Sequence, residues 1–272
     1  MRIVLGCLLG LCVGAGAVGD ASAQPAMSSF PIPGAASSAP RIPYFSGDVI
    51  TPLEAGLPLP SKNPRNFEGT WASLGHPINA DGTPPPYRPD ILAEMTRLRK
   101  LNDAGMPEVA KNTLCRPNGP IAMTGNQFPT QILQRPEKIL FLAEEGRTIW
   151  EVDMSGRPSS DTKLAYGGHN VGHWEGNTLV IESKGHKPHI PSIFSAGNSD
   201  KLHIVTRITR ANTGDPLNDE RLVIYQTIDD PGVYTKPWTA VNVARWRPDM
   251  QVLEFNCEES SDEDVSRGLT VK

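Results

Sequence analysis

The densest concentration of reactive side chains is the stretch Tyr166-Gly-Gly-His-Asn-Val-Gly-His-Trp-Glu-Gly-Asn-Thr-Leu-Val-Ile-Glu182. Histidine moves protons near neutral pH. Glycine permits positive φ and close backbone approach. On an extended segment His173 and Glu175 alternate onto one face, with Cα atoms roughly 6–7 Å apart. A carboxylate so placed can orient an imidazole or share a proton with it. Gly167, Gly168 and Gly172 would let His169 fold back to the same place. Three readings stay open: proton transfer by His169, His173 and Glu175, a structural loop with Trp174 in the core, and metal binding. The metal reading is the weakest, because on a strand two histidines four residues apart are roughly 13 Å apart.

Asp229-Asp-Pro-Gly-Val-Tyr-Thr-Lys-Pro-Trp238 is the second candidate. Asp-Pro-Gly is first a turn, since aspartate accepts backbone N–H groups and proline presets φ. The sharper reading makes Tyr234 an acid, Lys236 an electrostatic or substrate-holding group, and Asp229 a base. Adjacent aspartates on an extended segment point apart, so Asp229 and Asp230 do not form a glycosidase pair. In the run Lys201–Arg210, His203, Val205 and Arg207 share one face. If that face lines a cavity, His203 and Arg207 contact a ligand, Arg207 taking a carboxylate or phenolate. If it faces water, they are an ordinary polar face. Nucleophile-elbow, phosphate-loop, dinucleotide and zinc-protease signatures are absent, so any reaction is expected to be cofactor-independent, with no metal site assigned.

These residues need a scaffold, and the pattern supplies one that is mainly β. Period-two segments cover Asn66–Ser73, Pro129–Gln134, Lys138–Glu144, Thr148–Asp153, Leu179–Ser183, Lys201–Arg210, Arg221–Asp229, Thr239–Arg247 and Val252–Cys257, about nine or ten strands with His173–Glu175. One helix is expected from Asp90, with Ile91, Leu92, Met95, Leu98 and Leu101 at helical spacing and a stop at Gly105 and Pro107. One helix cannot supply parallel crossovers. The expectation is therefore an antiparallel up-and-down barrel or strongly curved, lipocalin-like sheet, the helix lying outside it or closing one end. A two-sheet sandwich is the alternative.

The N terminus has a basic start, a short apolar run and Ala21-Ser22-Ala23, the pattern of a signal peptide over residues 1–23 and of a periplasmic or secreted protein. Residues 24–64 are rich in Pro, Ser and Ala and should be extended or draped over the fold. A single β domain over 65–258 and an acidic tail over 259–272 follow. Beyond the leader only Cys115 and Cys257 remain; an exported chain would pair them in a disulfide, with two free thiols as the alternative. The formal net charge of −4 is spread in both signs. That leaves no nucleic-acid footprint, and no later run is long enough for membrane insertion.

The chain resembles a family of uncharacterised exported bacterial proteins. The likeness is carried by Gly168-His-Asn-Val-Gly-His-Trp-Glu-Gly-Asn-Thr-Leu-Val180 and Thr227-Ile-Asp-Asp-Pro-Gly-Val-Tyr-Thr-Lys-Pro-Trp238. Cys115-Arg-Pro-Asn-Gly-Pro120 and Glu254-Phe-Asn-Cys-Glu-Glu259 support it. Asn170 and Asn177 stand where the family usually has Ser and Asp; the second change only alters a hairpin turn. The resemblance implies export and a β fold. Two functions are therefore expected. One is a cofactor-independent acid–base enzyme, a lyase before a hydrolase, acting on a small, partly aromatic molecule through His169, His173, Glu175 and Tyr234. His203, Arg207, Lys236 and Trp174 would hold the substrate. The other is a non-catalytic periplasmic ligand-binding or scaffold protein.

Overall fold

The computed structural model describes residues 52–254 except 76, 106–116, 118, 120, 122–123, 125–127, 145–147, 158–162, 190, 192–194 and 213, together with 28–30 and 42–44. The expected leader, both Cys115 and Cys257, and the acidic tail lie outside the described residues. The elements are β1 (Ser28–Phe30), β2 (Ile42–Tyr44), β3 (Gly69–Ser73), β4 (Ile78–Asn79), α1 (Pro89–Asp103), β5 (Thr130–Arg135), β6 (Lys138–Ala143), β7 (Thr148–Asp153), β8 (His169–Glu175), β9 (Thr178–Lys184), β10 (His203–Ala211), β11 (Arg221–Asp229) and β12 (Trp238–Trp246).

Ten strands form one sheet, in which β12 pairs with both β11 and β3. The nine strands other than β4 thereby close into a lipocalin-like barrel, while β4 continues the line of β3 along β12. Every neighbouring pair is antiparallel except β7 and β8, which run parallel and touch in register only at Asp153 and Val171. The barrel is thus mixed, and this short pairing is its seam. β1 and β2 pair with each other, a piece of regular structure where the proline-rich composition suggested none. Residues 251–254 carry no strand although the alternation suggested one there. They follow β12, both of whose edges are already occupied, by β11 on one side and by β3 and β4 on the other, so the chain cannot fold back to pair with it.

Alternation sorts the side chains. Inward positions of β3, β5 to β7 and β9 to β12 build an apolar core around Trp71, Phe141, Trp150, Ile181, Leu222 and Trp246. Its rings meet edge-on or tilted, Trp71 with Trp246 at 5.1 Å and Phe141 with Trp150 at 4.7 Å between centroids. The expected draping is visible over residues 52–64. Leu53 and Leu57 pack on this core, and Trp246 Nε1 donates to the Pro58 carbonyl at 3.0 Å. At the other end Met95 of α1, with Ile91 beside it, packs on Ile204, Ile228, Tyr234, Trp238 and Ala240. Of the two placements open to it, the helix takes the end of the barrel where β10 and β12 begin and β11 ends, while Leu92 of its expected stripe stays half exposed. It is anchored by an antiparallel bridge between Tyr87 and Tyr234 and by Arg88 N–H donating to the Val233 carbonyl at 2.9 Å. Pro89 opens the helix, where its missing N–H is not needed, and Gly105, at φ 71°, follows its end.

Candidate functional site

On β8 the alternation puts His169, Val171, His173 and Glu175 outside, and Asn170, Gly172 and Trp174 inside. His173 and Glu175 meet as their spacing predicts, Nε2 to Oε1 at 3.2 Å. Arg207 joins them, its guanidinium donating to both Glu175 oxygens at 2.6 and 3.4 Å. Register explains the meeting: His173 faces Val180 and Val180 faces Arg207 across β9. Arg207 and then His173 hold the Glu175 carboxyl below its usual range. All three side chains are about half exposed or more. A second cluster lies beside the first, where Glu182 accepts from Lys184 at 2.7 Å and lies 3.0 Å from His203 Nε2. His203 and Arg207 thus belong to the polar outer face of β10 and do not line the interior.

The other residues singled out from the sequence are dispersed. His169 Nε2 sits 2.6 Å from the Lys163 carbonyl, and its ring rests on Gly185. Tyr234 is buried at the helix end, stacked on Tyr87 at 5.5 Å and tilted against Trp238 at 5.5 Å. Burial raises its phenol pKa, so it stays protonated. Lys236 is exposed nearby. The structure does not bring Tyr234 or Lys236 to His173. Of the two aspartates, Asp230 is buried and serves the turn: its carboxylate accepts from Ser199 N–H and Oγ–H at 2.8 and 2.5 Å and from Gly232 N–H at 3.0 Å. Asp229 is exposed. Trp174 contacts Phe67 edge-on at 5.3 Å and lines an open cleft at the end of the barrel away from α1.

Inside the barrel lies a polar belt that sequence reasoning missed. Asn170 and Ser183 are direct cross-strand partners, and His186 follows just beyond β9. Their relative exposures are 7%, 0% and 1%, so all three are taken from water. The Asn170 amide donates to the carbonyls of Glu151 and Gly167 at 2.9 and 3.2 Å, stitching the seam between β7 and β8. Among the described residues its Oδ1, the Ser183 Oγ and the Trp150 Nε1 have no hydrogen-bond partner. The His186 ring nitrogens approach the carbonyls of Tyr166 and Ser183 without a well-formed hydrogen bond. Burial, ahead of these contacts, lowers the His186 pKa. The belt continues through Gln226, which donates to Thr206 Oγ at 3.3 Å and accepts from Thr124 Oγ at 2.8 Å. Asn242 then donates to the Thr124 carbonyl and, at 2.9 Å, to Ser73 Oγ. A cavity of about 30 Å³ lies against Trp71, Thr124, Phe141 and Trp150, room for a water-sized guest only.

His186 was nevertheless within reach of the sequence. Gly176-Asn177 closes the β8–β9 hairpin, and Gly168 and Gly185, each followed by a histidine, lie equally far on either side of it. The arrangement is reciprocal: His186 packs on Gly168 and His169 on Gly185, and the glycines have φ of 67° and 72°. Among the described residues no three His, Cys, Asp or Glu side chains are grouped to hold a metal ion, and no helix is long and apolar enough to cross a membrane. Neither a protein-family model nor a curated protein matches the chain.

Proposed function

We propose that this protein binds a small, uncharged and partly aromatic molecule inside the barrel, against Asn170, Ser183 and His186. The observation that carries this reading is the group of buried polar atoms without partners, Asn170 Oδ1, Ser183 Oγ and Trp150 Nε1. Buried polar atoms lacking a hydrogen bond are costly and rare in folded proteins. A guest with one donor and one or two acceptors would satisfy them. Of these residues Trp150 also borders the small cavity, whose walls include the aromatic Trp71 and Phe141. The belt itself is made of amides, hydroxyls and an imidazole that burial keeps neutral. A charged guest would lose its hydration there with no counter-ion to replace it. Because the free space is small and does not reach Asn170, Ser183 or His186, this reading requires the side chains between them and the cavity to shift when the guest binds. The signal-like N terminus and the resemblance support a periplasmic or secreted location.

Turnover in the same chamber is the second reading, a cofactor-independent lyase. His186 favours it, since a buried neutral imidazole is a competent general base. The outer cluster of His173, Glu175 and Arg207 lacks the exclusion of water that strengthens such chemistry. The test is a titration of the purified protein with phenol and benzyl alcohol, with benzoate as the charged counterpart. Phenol or benzyl alcohol should raise the unfolding free energy by about 2.7 kcal/mol at a hundredfold excess over Kd. Ser183→Ala should weaken that effect and His173→Ala should leave it intact. Equal binding of benzoate, or loss of binding in His173→Ala alone, would move the site out of the barrel.

A further inference from the structure

The cleft beside Trp174 is separate from the polar belt and is built like a binding site in its own right. It measures about 230 Å³ and lies by the β5–β6 and β8–β9 turns, away from α1. That is below the roughly 300–1,000 Å³ of sites for drug-sized molecules, so it suits a single ring. One side is apolar, formed by Trp174, Ile139 and Met154. Gly172 holds Met154 there, since a Cβ at that position would lie 2.5 Å from the Met154 sulfur.

The facing loop is fixed before any ligand arrives. Asn63 Oδ1 accepts from Arg65 N–H at 3.0 Å and Asn66 Oδ1 accepts from Glu68 N–H at 2.8 Å. Gln134 clamps the same loop, accepting from Phe67 N–H at 2.9 Å and donating to the Arg65 carbonyl at 2.7 Å. Beneath it the buried Arg210 donates to the carbonyls of Ser61, Asn63 and Asn66 at 2.7, 2.9 and 2.9 Å. Arg210 is itself paired with the buried Glu220 at 2.5 Å. A recognition loop locked in this way loses little entropy on binding.

The bonding of the loop also decides what it offers. Asn63 and Asn66 line the cleft, and with both side-chain oxygens engaged it is their amide N–H₂ groups that are left to offer a ligand. Glu68 and Arg135, 3.3 Å apart at the rim, add a carboxylate acceptor and further N–H donors whose charges cancel. A matching ligand is therefore neutral overall, apolar on one face and rich in oxygens that both accept and donate. A benzene ring would leave the amide donors without acceptors, and a carboxylate would meet Glu68. A sugar ring fits each side once the Arg65 guanidinium, which lies 5.8 Å over the Trp174 ring, moves off it: its C–H face then packs on the electron-rich face of the indole, and its hydroxyls pair with the amides and the carboxylate.

We propose that this cleft binds a single neutral pyranose unit. The test is calorimetric titration of the full chain with methyl β-D-glucopyranoside and with N-acetylglucosamine, and with benzoate as the anionic aromatic control. The double variant Asn63→Asp/Asn66→Asp keeps the oxygens that hold the loop, removes the donors and adds two negative charges that a neutral sugar does not need. Trp174→Phe keeps the contact with Phe67 and shrinks the apolar wall. Far-ultraviolet circular dichroism verifies that both variants fold. The wild-type chain should bind at least one of the sugars saturably in the millimolar range, and each variant should weaken that binding by about tenfold or more. Ser183→Ala in the barrel should not change it. Absence of saturable sugar binding, preference for benzoate, or wild-type affinity in the Asn63→Asp/Asn66→Asp chain would each overturn the assignment.

Discussion

Replacing Gly168 by alanine tests whether the Gly–His reciprocity really holds His186 in the barrel. Two costs can be worked from the geometry. Gly168 has φ of 67°, where an L side chain costs about 1–2 kcal/mol. The new methyl would also lie 2.3 Å from His186 Cε1, 2.6 Å from Nδ1 and 2.8 Å from Nε2. Comfortable carbon contacts are near 3.5–4.0 Å. The ring is fully buried and has nowhere to retreat, so overpacking adds about 1–3 kcal/mol. Gly168→Ala should therefore destabilise the fold by about 2–5 kcal/mol in urea unfolding, with little change in the slope. The mirror variant Gly185→Ala separates the two contributions. Its φ is 72° and its methyl would meet His169 Cδ2 at 2.6 Å, but His169 is only partly buried and can swing outward. It should cost little beyond the backbone strain. In the double variant Gly168→Ala/His186→Ala the clash disappears and the strain remains. Its loss should fall short of the sum of the single losses by about 1–3 kcal/mol. Strict additivity, or equal costs for Gly168→Ala and Gly185→Ala, would refute the argument.

Two further outcomes follow from the buried groups. His186 titrates below its ordinary value of 6.5 because burial disfavours the imidazolium. Above pH 6.5 both folded and unfolded chains carry it neutral. Below that, the unfolded chain takes up a proton that the folded chain refuses, so stability falls with pH by up to about 1.4 kcal/mol per unit until the folded pKa is reached. Urea midpoints at several pH values should show this loss, and His186→Leu should remove it; an unchanged slope in that variant would place the titration elsewhere. Asp230→Ala leaves the half-buried N–H groups of Ser199 and Gly232 without their acceptor. It should destabilise by about 2–4 kcal/mol, which thermal or urea unfolding would measure; a loss under about 1 kcal/mol would mean that other acceptors replace it.

The local chemistry was legible wherever neighbours in sequence decide it. His173 and Glu175 were bound to share a face because the period of a strand is two. Asp230 was bound to a turn because proline and glycine follow it. α1 was bound to form an amphipathic helix, and its stripe needed an apolar surface to cover. Arg207 could be assigned to the polar face of β10, but whether that face met Glu175 depended on register through β9. Ser183 gave no signal of its own: a serine near the end of a strand reads as surface until the barrel closes over it.

What the chain determines by itself is most of the barrel strands, the amphipathic helix α1 and the pairing of faces within each strand, since these follow from alternation, helical spacing and turn chemistry over a few residues; the short β1, β2 and β4 and the strandless 251–254 did not follow from it. What only the tertiary structure decided is which face is inside. Closure of β3 against β12 gives the barrel an interior and an exterior, and it turns His169, His173, His203 and Arg207 outward in the same act that buries Asn170, Ser183 and His186. A period of two cannot distinguish the faces when both carry polar groups. The choice is made by the long-range burial of Trp71, Trp150 and Trp246, whose inward-pointing rings set the orientation of the whole sheet.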